Sequence, residues 1–195
     1  MSKILTLLAF TIIIGCSTNN SPADGAMEPR LAAAMQMEPY DDDSGLIRVT
    51  SYYADGTVFE QGVYLNGYRE GVYTEFHPNG FVKSTVGYVK GKKQGQYIFI
   101  DDKGQVQERS TYHRDLLHGP HYKYNRSNLK ESSQYNNGNL HGLVEKYYPN
   151  GNIMERSNYK AGQLDGTARW YDQTGVNTIA YNYEMGELAG DVALE

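Results

Sequence analysis

The chain has 195 residues, with 21 Gly, 18 Tyr, a single Cys and a formal net charge of −5. A composition so rich in Tyr and Gly describes a thin, tyrosine-lined core and argues against a doubly wound α/β enzyme or a barrel around a buried catalytic cavity. One cysteine excludes a disulfide framework and a thiolate metal site.

Residues 1–15 read as a removable targeting segment. Lys3 supplies a positive charge, and Ile4 to Ile14 is an apolar run in which Thr is the only polar residue type. The run is shorter than the ~20 residues a membrane-spanning helix needs; it has the length of a signal-peptide hydrophobic region. It ends Ile13-Ile14-Gly15-Cys16, which resembles the lipobox of bacterial lipoproteins. The resemblance implies cleavage before Cys16, a diacylglycerol on its sulfur and acylation of its new amino group. Two or more acyl chains make a stable anchor, at about 0.8 kcal/mol per buried CH₂. In Gram-negative lipoproteins of this type, a residue other than Asp after the cysteine, here Ser17, implies the outer membrane.

Residues 16–45 follow as the lipidated cysteine and a flexible acidic tether rich in Ser, Asn, Pro, Asp and Met. No strand alternation is expected there, and Leu31 to Met37 has room for one short helical stretch between Pro29 and Pro39. Fully extended at ~3.3–3.6 Å per residue, the tether reaches roughly 100 Å. Arg30 stands alone against Asp24, Glu28, Glu38 and the run Asp41-Asp42-Asp43. That run is read as solvated and not as a cation site.

From Leu46 the sequence repeats itself, which decides the fold. Turn positions fall at Gly56, Gly80, Gly104, Asn128, Gly151 and Gly175, in steps of 24, 24, 24, 23 and 24. A tyrosine follows each: Tyr64, Tyr88, Tyr112, Tyr135, Tyr159 and Tyr183. Next come Gly67, Gly91, Asp115, Gly138, Gly162 and Gly186, and then Gly71, Gly95, Gly119, Gly142, Gly166 and Gly190. Of 18 Gly between Leu46 and Gly190, 16 occupy these three columns. His77-Pro78-Asn79-Gly80 and Tyr148-Pro149-Asn150-Gly151 read as hairpin turns whose glycine takes a positive φ. Asn128 is expected to take the same left-handed conformation, which Asn tolerates.

One period is therefore two antiparallel strands and two turns. Connections this short leave no room for crossover helices. The expectation is all-β: an elongated single-layer antiparallel meander of about six β-hairpin repeats of 23–24 residues over 46–190, about twelve strands, with a tail at 191–195. The tyrosine column should line one face, shared or flanked by Phe76, Ile100, Tyr124, Tyr147 and Tyr171. The single-residue deletion between Gly119 and Gly142 marks the third and fourth periods as the place for a kink or a distinct loop.

The pattern resembles the MORN repeat in its bacterial variant form, carried by tracts such as Tyr147-Tyr148-Pro149-Asn150-Gly151 followed by Tyr159-Lys160-Ala161-Gly162 and Gly166. The resemblance implies a generic binding scaffold. Related bacterial proteins of the YwqK-type carry an antitoxin label, which would come to this chain by analogy alone.

Chemistry is sparse. His118 and His141 share a column with Glu70, Gln94, Asp165 and Ala189, as exposed loop positions do. His118-x-x-His121 has room to place two imidazoles near one another but lacks a third ligand at a useful spacing. No nucleophile elbow or phosphate-cradling glycine loop appears. No catalytic residue, cofactor or metal ligand is therefore assigned. The array from Leu46 to Gly190 is nearly neutral, but Phe81 to Lys130 holds 10 basic residues against 4 acidic, with Lys83, Lys90, Lys92, Lys93 and Lys103 close in sequence. This stretch suits an anionic partner or, more plainly, a solvated sheet with solubilising lysines. Two functions remain: a lipid-anchored module that binds a protein partner, identity unknown, with no nucleic acid; and a glycan or peptidoglycan binder, against which Trp170 is the only Trp.

Overall fold

The structure, a computed structural model, describes residues 34–40 and 44–192. Residues 1–33, which hold the expected signal segment, Cys16 and most of the expected tether, lie outside the described residues, as do the Asp41–Asp43 run and residues 193–195.

The described chain is all strand and turn, in one antiparallel sheet. In order the strands are β1 Ala34–Pro39, β2 Leu46–Tyr52, β3 Val58–Leu65, β4 Tyr68–Phe76, β5 Val82–Val89, β6 Lys92–Ile100, β7 Val106–His113, β8 Leu116–Leu117 and β9 Gly119–Asn125. They continue as β10 Asn128–Asn136, β11 Asn139–Leu140, β12 Gly142–Tyr147, β13 Ile153–Lys160, β14 Gln163–Leu164, β15 Gly166–Tyr171, β16 Asn177–Glu184 and β17 Glu187–Asp191. The two-residue strands β8, β11 and β14 pair with the same neighbour as β9, β12 and β15, each parted from its successor by a single residue, His118, His141 or Asp165. Counting each with its successor leaves fourteen strands, each paired with the next along the chain. At ~4.8 Å between strands the ribbon is about 60 Å long.

Two kinds of turn alternate along it. At one long edge a three-residue loop ends in glycine, as at Gly151, whose N–H donates to the Tyr148 carbonyl at 2.9 Å and whose φ is 88°. This is a type I turn closed by a left-handed residue. At the other edge two-residue turns such as Asn66-Gly67 hold both residues at positive φ, here 52° and 82°. That is the type I′ geometry whose twist matches the flanking strands. Asp115 takes its place in this second class at φ 72°.

The fourth period departs from the expected turn. Asn128 is not left-handed; it opens β10 opposite Asn125, and Arg126 and Ser127 take φ 49° and 69°. The missing residue converts a three-residue loop into a two-residue I′ turn, so the shortening is absorbed with no kink in the pairing order.

The tether reading also changes. Ala34–Pro39 is neither a helix nor part of a free linker; it pairs antiparallel with β2 from Ala34↔Tyr52 to Pro39↔Ile47. Its inner neighbours explain why: Val49 is only 2% exposed and Ser51 1%, and without β1 both would stand at an open edge. At the other end Asp191 belongs to β17, so the sheet runs one residue past the expected limit. Deleting residues 34–40 should therefore cost about 2 kcal/mol, the scale of exposing one buried aliphatic side chain. An unchanged melting temperature would contradict the pairing.

Candidate binding surface

Alternation along each strand divides the side chains between two faces. One carries the tyrosine column, as expected, but the column is not alone. Between its members sits a second column contributed by the intervening strands: Tyr73, Tyr97, His121, Val144 and Ala168. The rings interlock edge to face, with centroids 5.8 Å apart for Tyr64–Tyr73, 5.5 Å for Tyr73–Tyr88, 6.0 Å for Tyr97–Tyr112 and 5.4 Å for His121–Tyr135. Such pairs favour this geometry because each ring edge meets a π face. The core cluster is Val49, Tyr64, Tyr73, Val86 and Tyr88, with Tyr97 packed on it.

The second column accompanies a gradient in the first. Tyr64 and Tyr88 are buried, whereas Tyr112, Tyr135, Tyr159 and Tyr183 are half-buried. The intervening side chain runs Tyr73, Tyr97, His121, Val144, Ala168, so Tyr159 and Tyr183 lack the ring neighbour on which Tyr88, Tyr112 and Tyr135 pack.

The charges on this face are arranged rather than scattered. Arg69 lies over the rings of Tyr73 and Tyr88, at 4.5 and 5.3 Å, and pairs with Glu60 at 3.5 Å. Burial works against its charge, but Tyr64, Tyr88 and Glu60 outweigh it and raise its pKa. Lys93 repeats the motif one period on, over Tyr97 and Tyr112. Tyr97 is pushed up to about 12, first by burial and then by Glu108. Farther along, Glu108, Lys123, Glu131, Lys146 and Glu155 oppose one another directly across successive strands. This ladder of alternating sign includes Lys123–Glu131 at 3.2 Å and Lys146–Glu155 at 2.8 Å. Glu155 raises the Lys146 pKa by accepting that hydrogen bond. Opposite charges placed directly across a strand pair each stabilise by about 0.2–1 kcal/mol.

The structure separates the residues that the sequence grouped. His118 and His121 do not form a pair: His118 is exposed, with its ring beside His113, whereas His121 is 4% exposed in the sheet. His121 Nδ1 is 3.2 Å from Ser133 Oγ, and Nε2 is 3.0 Å from Glu108 Oε1. That hydrogen bond holds the Glu108 carboxyl below its ordinary range. The Ser133–His121–Glu108 chain has the order of a hydrolytic triad with the accessibility reversed. The serine is 1% exposed and the carboxylate is the end nearest solvent, so the chain ties three strands together. The basic stretch also divides. Lys90 lies in a two-residue turn at one edge with Lys92 directly after it, Lys103 lies in a three-residue turn at the other, and Lys83 is paired with Glu75 at 3.3 Å. It is not one patch.

The opposite face bears Phe76, Ile100, Tyr147 and Tyr171 beside the three-residue turns and Tyr124 beside the two-residue Arg126-Ser127 turn, so this column lies across the sheet from the tyrosine ladder and does not share its face. All five are half-buried. Tyr147 donates to Glu145 at 2.7 Å. Along this edge side chains reach the carbonyls one period away: Tyr53 to Phe76 at 2.7 Å, Asn79 to Asp102 at 2.8 Å and Tyr148 to Tyr171 at 2.8 Å. A surface depression of about 300 Å³ is open and bordered by Ile153, Arg156 and Tyr171. Among the described residues no group of His, Cys, Asp and Glu is placed to hold a metal ion.

The Tyr73 column was missed because its chemistry drifts while its spacing does not. Positions 73, 97, 121, 144 and 168 keep the same steps as the turns, so the period alone would have located them.

The MORN repeat variant family model matches residues 69–90 and 140–161. Each match runs up one strand, through a three-residue turn and down to the next two-residue turn. No curated protein matches the chain. Two stretches are thus similar in sequence to the MORN repeat variant, and the remaining periods share their columns and, except at the shortened Arg126-Ser127 turn, their turn geometry.

Proposed function

We propose that this chain is a non-catalytic scaffold, held at a bacterial cell envelope by lipid on Cys16, that binds a protein partner along its ribbon. The observation that carries the reading is the regularity of the surface: both faces and both long edges present side chains in the same columns, period after period. Neighbouring members of one column are two strands apart, roughly 10 Å. A surface of this kind recognises an extended partner through many modest contacts. Catalysis draws on groups that converge in a cleft, whereas here the polar groups of the tyrosine face are spread along the ribbon and mostly paired with one another. The anchor rests on Ile13-Ile14-Gly15-Cys16 and on that cysteine being the only one in the chain. Outer-membrane placement rests on Ser17.

Cys16→Ser tests the anchored half of this proposal. The variant should move from the membrane pellet to the soluble fraction, and the wild-type N-terminal fragment should carry the mass of its acyl chains. Unchanged fractionation together with an unmodified Cys16 would refute it.

A further inference from the structure

The two ends of the sheet are not alike. β17 is a poor template for another strand: it carries Glu187 and Asp191, and its register with β16 shifts between Asn182 and Tyr183. Charges and irregular register are the usual protection of a sheet edge. β1 has neither. Its register with β2 is unbroken over six residues, and its one charged side chain, Glu38, is engaged with Arg48 at 3.8 Å. The Tyr40 N–H donates to the Leu46 carbonyl at 3.1 Å. Because bonded and non-bonded positions alternate in an antiparallel pair, Ala34, Gln36 and Glu38 turn their backbone groups toward β2. Met35 and Met37 therefore turn theirs outward. Their side chains, 41% and 50% exposed, lie on the tyrosine face beside Val49.

We propose that β1 pairs antiparallel with β1 of a second copy of this chain, about a two-fold axis through Gln36. Outward-facing residues must oppose outward-facing residues, so Met35 stands across from Met37 of the other copy and Gln36 across from its equivalent. This register forms four main-chain hydrogen bonds and gathers four methionine side chains on one face. It sets Glu38 opposite Ala34, keeping the two Glu38 carboxylates four residues of strand apart, about 13 Å. Sliding the pairing to centre on Met37 would place Pro39 opposite Met35, and proline has no N–H to give. A two-fold contact closes on itself, and β17 stays outside it, so the assembly stops at two copies. The interface is small, in the range of transient contacts, so covalent trapping is the suitable readout.

The test uses the full chain with Cys16→Ser, so that an introduced thiol is the only one. Gln36→Cys should give a disulfide-linked dimer under mild oxidation, because Cα atoms of a directly opposed non-bonded pair lie about 4.5 Å apart, within disulfide reach. Glu38→Cys should stay monomeric. Adding Met37→Pro to Gln36→Cys should cut dimer yield at least fivefold with no change in melting temperature, since the Met37 N–H makes no bond to β2. The pair Met35→Glu with Met37→Glu, which sets carboxylates across from one another, should do the same without a backbone change. A monomeric Gln36→Cys chain, or equal cross-linking at Glu38→Cys, would overturn the proposal.

Discussion

Gly62→Ala should destabilise the protein by about 3 kcal/mol, the upper part of the range for overfilling a packed core. A Cβ at Gly62 would lie 2.1–2.4 Å from three ring carbons of Tyr73. That ring is 3% exposed and wedged between Tyr64 and Tyr88, so it has nowhere to retreat. Gly62 does not take a positive φ; the demand there is for space alone. It follows that Tyr73→Leu, costly by itself, should recover part of the Gly62→Ala loss in a double-mutant cycle, since a smaller side chain vacates the position. Chemical denaturation measures both. Strictly additive losses would mean that the two residues do not compete for one volume.

Gly151→Val should cost about 2–3 kcal/mol for a different reason. Nothing lies within 4 Å of a Cβ built there, but φ is 88°, a conformation that a β-branched residue strongly resists. Here Gly151→Asn should restore much of the stability, because Asn accepts the left-handed region. At Gly62 an Asn should be worse than Ala. A Gly151→Val protein melting with wild type would remove the turn assignment on which the period rests.

The contrast shows what a reader of the sequence can and cannot see. The column glycines answer to local backbone geometry, repeated in step, so their spacing exposes turns and strands together. Gly62 and Gly87 stand outside the columns because their cause is a neighbour. A Cβ at Gly87 would meet the Gln94 carbonyl at 2.3 Å, a contact known only once the strands are paired. Strand β1 was obscured by competing signals. Ala34, Met35, Gln36, Met37 and Glu38 are all residues that favour helix, yet Met35 and Met37 alternate with Gln36 and Glu38 as a half-buried strand requires. Pairing with β2 settled the matter in favour of the pattern. The same holds for the lysines of the central stretch, close in sequence but sent to opposite edges by a meander that reverses every eight or so residues. Burial of His121 was equally invisible, since it depends on Ser133 and Glu108 arriving from two other strands.

The proposed role is tested most directly by capture. The array spanning residues 34–195, immobilised and exposed to detergent-solubilised envelope, should retain one protein in stoichiometric amount. That protein should be lost when substitutions replace a face column, such as Tyr124, Tyr147 and Tyr171 to Ser, in an array that still melts cooperatively. Retention of the unmodified array on isolated peptidoglycan, with no protein captured, would contradict a protein-binding scaffold and point instead to a binder of the wall.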